Sequence, residues 1–103
     1  NNTADAFALV KRLDNPGLSV NLDLSTVLAQ CEKLQSFIDD MQYVSHVHIS
    51  EPGLAPIERR PEHKELALLL GAVGYSGFVS IEMARTDLDT VRRTMDYIAE
   101  VFA

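Results

Sequence analysis

Three ionisable residues stand at equivalent places in three short apolar segments: Asp23 ends Leu18-Ser-Val-Asn-Leu-Asp23, His48 lies near the end of Tyr43–Ile49, and Glu82 lies near the end of Phe78–Met83. Two carboxylates and one imidazole with open positions suit a divalent cation such as Mn²⁺, Mg²⁺, Co²⁺ or Zn²⁺. Each residue alone is equally at home as a strand-end side chain hydrogen-bonding a loop or a helix N-terminus. It is their recurrence at the same position that suggests a shared task. His46 lies one layer deeper, where it either supports a ligand or is a hydrogen-bonded core histidine. Glu51, His63 and Arg59 fall in or beside the following loop, a position that suits contacts to substrate, and Arg59 with Arg60 suits a phosphate or hydroxyl-rich molecule. The charged run Glu58-Arg-Arg-Pro-Glu62 reads equally well as a solvated loop.

The elements that must position these residues follow from periodicity. Alternation with a period of two puts Leu18, Val20 and Leu22 on one strand face and Ser19, Asn21 and Asp23 on the other. Val47 and Ile49 likewise oppose His46 and His48, and Val79 and Ile81 oppose Ser80 and Glu82. Between the strands, helical spacing predicts four helices. The first runs from about Ala4 to Leu13 behind Thr3 as N-cap and stops at Asn15-Pro16-Gly17. The second spans Thr26–Met41, capped by Ser25, with Leu28, Cys31, Leu34, Phe37, Ile38 and Met41 as its apolar stripe. The third opens at Pro61 after an irregular Ser50–Arg60 loop, and the fourth follows a Thr86/Asp89 capping box with Leu88, Val91, Met95, Ile98 and Phe102 in line.

The expected class is therefore α/β, with three parallel strands alternating with four helices. One polar face per strand conflicts with a doubly wound sheet, whose strands are covered on both sides. It fits part of a (β/α)8 barrel, with helices outside and a site at the C-terminal ends of the strands.

Composition narrows the function. A chain of 103 residues allows one domain, 1–103. Fifteen acidic residues against nine basic ones give a net charge of −6, which argues against a nucleic-acid surface. No apolar run is long enough to span a bilayer and no secretory leader pattern opens the sequence, so the expectation is a cytoplasmic protein. Cys31, the single cysteine, is expected to be a small core residue in the middle of the second helix.

The segment His46-Val-His-Ile-Ser-Glu-Pro52, then Glu62-His63 with a Leu-rich helix, then Gly74-Tyr75-Ser-Gly77 and Val79-Ser-Ile-Glu82-Met83, resembles the C-terminal portion of the sugar phosphate isomerase/epimerase family, the xylose-isomerase-like TIM barrels. Asn15-Pro-Gly-Leu-Ser-Val-Asn-Leu-Asp23 resembles that family's sixth strand. The resemblance covers essentially the whole chain. It implies that Asp23, His48 and Glu82 are three of four metal ligands and that Glu82 is also the catalytic acid/base. The implied reaction moves a proton between neighbouring carbons of a sugar or sugar phosphate through an enediolate. Thr26 stands where several ketose epimerases have a substrate-binding histidine, and Leu54 where they often have arginine, so the sugar is left open.

A complete barrel needs eight strands and about 250 residues. The chain thus reads as roughly the last two-fifths of one, inactive by itself and pairing with the missing barrel half or with another copy. Two alternatives remain: a metal-dependent hydrolase of the endonuclease IV type, with His63 as a ligand, and a barrel scaffold without chemistry.

Overall fold

The protein was analysed as a computed structural model that describes residues 2–103. The order of elements is α1 (Thr3–Leu13), β1 (Val20–Asp23), α2 (Leu24–Ala29), β2 (Val44–Ile49), α3 (Pro61–Ala72), β3 (Phe78–Ile81) and α4 (Leu88–Phe102). The three strands form one parallel sheet in the order β1-β2-β3. The α/β class, strand direction and helix number agree with the sequence reading. The Cα radius of gyration is 13.7 Å, close to the ~13 Å of a compact domain of this length. No helix among the described residues is long and apolar enough to cross a membrane.

The alternation seen in the sequence decides which face of the sheet is covered. Val20, Leu22, Val47 and Ile49 point into a core built with Phe7, Leu24, Val27, Leu34, Phe37, Met41, Leu66 and Ile98. Leu22, Val47 and Ile49 are fully buried, and burying such a side chain stabilises the fold by about 1.5–3 kcal/mol. The opposite face is open: Asn21 and Ser45 are exposed, and Phe78 is 79% exposed.

Helix starts are fixed by side chains one residue away from those expected. Asn2, rather than Thr3, caps α1 by accepting the Asp5 N–H at 2.8 Å. Asp23, rather than Ser25, caps α2. Asp87, rather than Thr86, caps α4, accepting the Thr90 N–H at 2.9 Å. Pro61 does open α3, where its missing N–H costs nothing. Strand β1 begins at Val20, leaving Leu18 42% exposed in the preceding turn. The loop after β2 contains one 3-10 turn, Pro52–Leu54, with Gly53 at φ 70°.

The largest departure is the expected helix over Thr26–Met41. Only Leu24–Ala29 is α-helical, followed by 3-10 turns at Leu34–Phe37 and Met41–Tyr43. Cys31 adopts φ 52° and is exposed, not buried in a helix. The Cys31 N–H donates to Leu28 O (3.2 Å) and the Glu32 N–H to Val27 O (2.9 Å), the paired bonds of a Schellman C-cap, a site usually held by glycine. The turn delivers the Glu32 carboxylate to the start of α1, where its oxygens accept the Thr3 and Ala4 N–H groups at 3.2 and 3.0 Å. An anion there satisfies free amides and complements the helix dipole.

A non-glycine residue in the left-handed region costs about 1–2 kcal/mol. Cys31→Gly is therefore expected to keep or raise stability, by up to ~1 kcal/mol after the added freedom of the unfolded chain is offset, as read from urea unfolding. A loss of about 2 kcal/mol would instead mark Cys31 as a packed helical residue.

Candidate functional site

Parallel register sets Asp23 beside His48 and His48 beside Ser80. The ladder extends one residue past β3, because the Glu82 N–H donates to Ile49 O at 2.9 Å. Asp23, His48 and Glu82 thus lie on adjacent strands, on the open face, at their C-terminal ends.

His48 Nδ1 lies 3.1 Å from Glu82 Oε2, with the two side chains 24% and 48% exposed. An ionised carboxylate only accepts, so Nδ1 carries the proton and Nε2 keeps its lone pair. The 3.1 Å separation also matches neighbouring donors on a cation with bonds of about 2.1 Å. His46 packs beneath, its ring stacked on His48 with centroids 4.6 Å apart and its Nε2 2.8 Å from Ser80 Oγ. This places His46 behind His48, as a support.

Asp23 sits in a tighter setting. Its Oδ1 accepts from Ser25 N–H (3.1 Å), Ser25 O–H (2.8 Å) and Ser50 O–H (2.5 Å). Burial pushes its pKa up, but the hydroxyls of Ser50 and Ser25, the Ser25 amide and the charge on His48 together hold it below the ordinary 3.8. Among the described residues, no three His, Cys, Asp or Glu side chains are gathered closely enough to hold a metal as they stand. His48 and Glu82 meet; Asp23 is their neighbour in register with its carboxylate turned toward the two serines. The donor types and strand positions fit a divalent cation, and closing the set requires the Asp23 side chain to turn.

Glu51, His63 and Arg59 come together elsewhere. Glu51 is 2% exposed, and both its oxygens accept from the Arg60 guanidinium, at 2.9 and 2.8 Å from Nε and 2.5 Å from Nη2. As placed, it has no free oxygen to offer a substrate. Burial raises its pKa, and the Arg60 hydrogen bonds outweigh that and hold it below 4.5. His63, fully buried on α3, meets the hydroxyl of Tyr97 on α4 at 2.6 Å. That hydroxyl accepts the Arg60 N–H at 3.3 Å, so its own proton goes to His63 Nδ1. The remaining ring proton is then on Nε2, which is buried without a partner. Arg59 lies over the Tyr97 ring, 4.6 Å from its centroid. The three residues expected to touch substrate thus share a structural role, clasping the loop after β2 to α3 and α4.

Sequence reasoning missed Ser25, Ser50, Ser80, Arg60 as the partner of Glu51, and Tyr97. The serines carried one usable signal: Ser50 directly follows a strand whose alternate positions are histidines.

Burial depresses the His63 pKa below its ordinary 6.5, partly countered by the charge on Glu51. For His63, Asp23 and Glu51 alike the unfolded chain binds protons first as pH falls, so their contribution is complete above the ordinary values and is lost in acid. The urea midpoint should begin to fall below about pH 6.5 through His63 and fall further below about 4.5 through Glu51 and Asp23. His63→Leu should remove the first of these two phases. A wild-type midpoint that rises on acidification from about pH 7 to 5 would contradict this accounting.

No protein-family model matches the chain, and neither does any curated protein sequence; the reading of the site rests on its residues and their geometry.

Proposed function

We propose that the chain is the C-terminal portion of a (β/α)8 barrel of the sugar isomerase/epimerase kind, cytoplasmic and dependent on a divalent metal, with Asp23, His48 and Glu82 as ligands. The observation that carries this reading is the placement of all three at the C-terminal ends of adjacent parallel strands on one uncovered face, with His48 and Glu82 already 3.1 Å apart. Active sites of parallel barrels occupy that end of the strands.

In this reading the cation, when bound, stabilises negative charge growing on the sugar oxygens during proton transfer. The chain's own residues do the rest. Glu82, 48% exposed at the rim, takes the proton from the carbon beside the carbonyl and returns it to the neighbouring carbon. His48 orients that carboxylate through Nδ1–H, and His46 stacks beneath to fix the His48 ring. Arg59 is the exposed cation nearest the loop and suits a phosphorylated sugar.

The same reading accounts for exposed apolar surface. β1 and β3 both have a free edge. Beside β3, α4 leaves Leu88 62% and Met95 56% exposed, although both belong to its apolar stripe. Further strands, from the rest of a barrel or from another copy, would cover these residues and pair the edges. The endonuclease-type alternative draws less support, since His63, its extra ligand, is buried against Tyr97. One observation favours a scaffold without chemistry: the three candidate ligands are not closed on a point as they stand.

The test is calorimetric titration with Mn²⁺ of the chain and of its Asp23→Ala, His48→Ala and Glu82→Ala variants. The expected result is one site, weakened about tenfold or more by each substitution, with no sugar turnover by the chain alone. Binding indifferent to all three substitutions would support the scaffold. Cleavage of abasic-site DNA would support the hydrolase, and full turnover would contradict the incomplete-barrel reading.

A further inference from the structure

The two oxygens of Asp23 have different surroundings. Every hydrogen bond that the carboxylate receives from the described residues ends on Oδ1: two from Ser25 and one from Ser50. A carboxylate oxygen has two lone pairs, so three donors leave Oδ1 with nothing for a cation. Oδ2 keeps both of its own.

Capping α2 explains only one of the three donors, the Ser25 N–H. Ser50 is in excess of that need. It directly follows β2, is completely buried, and its Oγ accepts the Ser25 N–H at 3.2 Å. With that side occupied, its single proton is directed at Asp23 Oδ1, 2.5 Å away. A buried hydroxyl is costly unless satisfied, and here its hydrogen bonds go to the start of α2 and to the last residue of β1. Asp23 is therefore held from two elements, α2 and the end of β2, and its side-chain torsions are fixed by donors that converge on one atom.

We propose that Ser50, assisted by Ser25, is a positioning residue that anchors Oδ1, so that Asp23 presents Oδ2 alone, as a one-oxygen ligand, to a divalent cation shared with His48 and Glu82. The assignment rests on the metal-centre reading above. It also specifies the adjustment that closing the set requires: Asp23 swings about an anchored Oδ1, bringing Oδ2 toward the His48–Glu82 pair without giving up the α2 cap. Partners that hold a ligand in this way commonly change metal affinity by about 10–100-fold when removed.

The experiment uses Co²⁺, whose visible absorption reports coordination number and ligand geometry as well as affinity. The chain is titrated alongside Ser50→Ala, Ser50→Thr, Ser25→Ala and Asp23→Ala, with folding checked by circular dichroism. The expected results for Ser50→Ala are affinity about 10–100-fold lower and an altered Co²⁺ spectrum, as the released carboxylate becomes free to bind through both oxygens. Ser50→Thr, which keeps the hydroxyl, should recover the spectrum of the unaltered chain. Ser25→Ala should show a smaller loss in the same direction. Wild-type affinity and spectrum in Ser50→Ala would overturn the positioning role and leave the metal centre standing. Should Ser50→Ala not fold, an unchanged affinity and spectrum in Ser25→Ala overturns the role instead. No Co²⁺ uptake by the unaltered chain, or uptake indifferent to Asp23→Ala, would overturn the metal centre and the positioning role together.

Discussion

The register of one parallel sheet governs this molecule. Asp23 pairs with His48 and His48 with Ser80, and a slip of one residue on any strand would exchange its two faces. Leu22, Val47 and Ile49 would then face water, while Asp23 and His48 would be driven under the helices, with loss of core burial and uncompensated burial of charge. The same burial that stabilises the fold therefore fixes which side chains appear on the open face. The site and the core are two sides of one pairing pattern.

That coupling explains why so much of the candidate site was legible in the sequence. A period of two is a local property, and His46 and His48 announce their face simply by alternating with Val47 and Ile49. The three strands, their shared polar face and the α/β class follow from it. What was not legible depends on partners far along the chain. Leu28, Leu34, Phe37 and Met41 keep helical spacing, yet the helix ends at Ala29 because Glu32 binds the start of α1, 28 and 29 residues away. The Asp23–Ser50 bond spans 27 residues and the His63–Tyr97 bond 34. No local pattern encodes such pairs. Arg59 and Arg60 show the same limit at single-residue scale: adjacent in sequence, one turns to Glu51 and the other to the Tyr97 ring.

Two polar clusters with different characters result. The Glu51–Arg60–Tyr97–His63 group is interior and nearly saturated, and only His63 Nε2 lacks a partner. It behaves as a clasp, since each member spends its hydrogen bonds on another. The Asp23–His48–Glu82 group is at the rim and unsaturated, with Asp23 Oδ2 and the His48 Nε2 lone pair directed to no protein donor. Ser50 and Glu51, consecutive residues, serve one cluster each, so the end of β2 joins the clasp to the rim. Groups that are held in place and still have free lone pairs are what a cation or a substrate requires.

The central claim is that these rim residues share a divalent cation, and paramagnetic broadening tests it most directly. With substoichiometric Mn²⁺ added to ¹⁵N-labelled protein, the amide signals of Asp23, His48, Glu82 and their sheet neighbours should broaden first and together, before those of the exposed acidic residues on α4. Broadening scattered over surface carboxylates, or centred away from the C-terminal ends of the strands, would contradict the account.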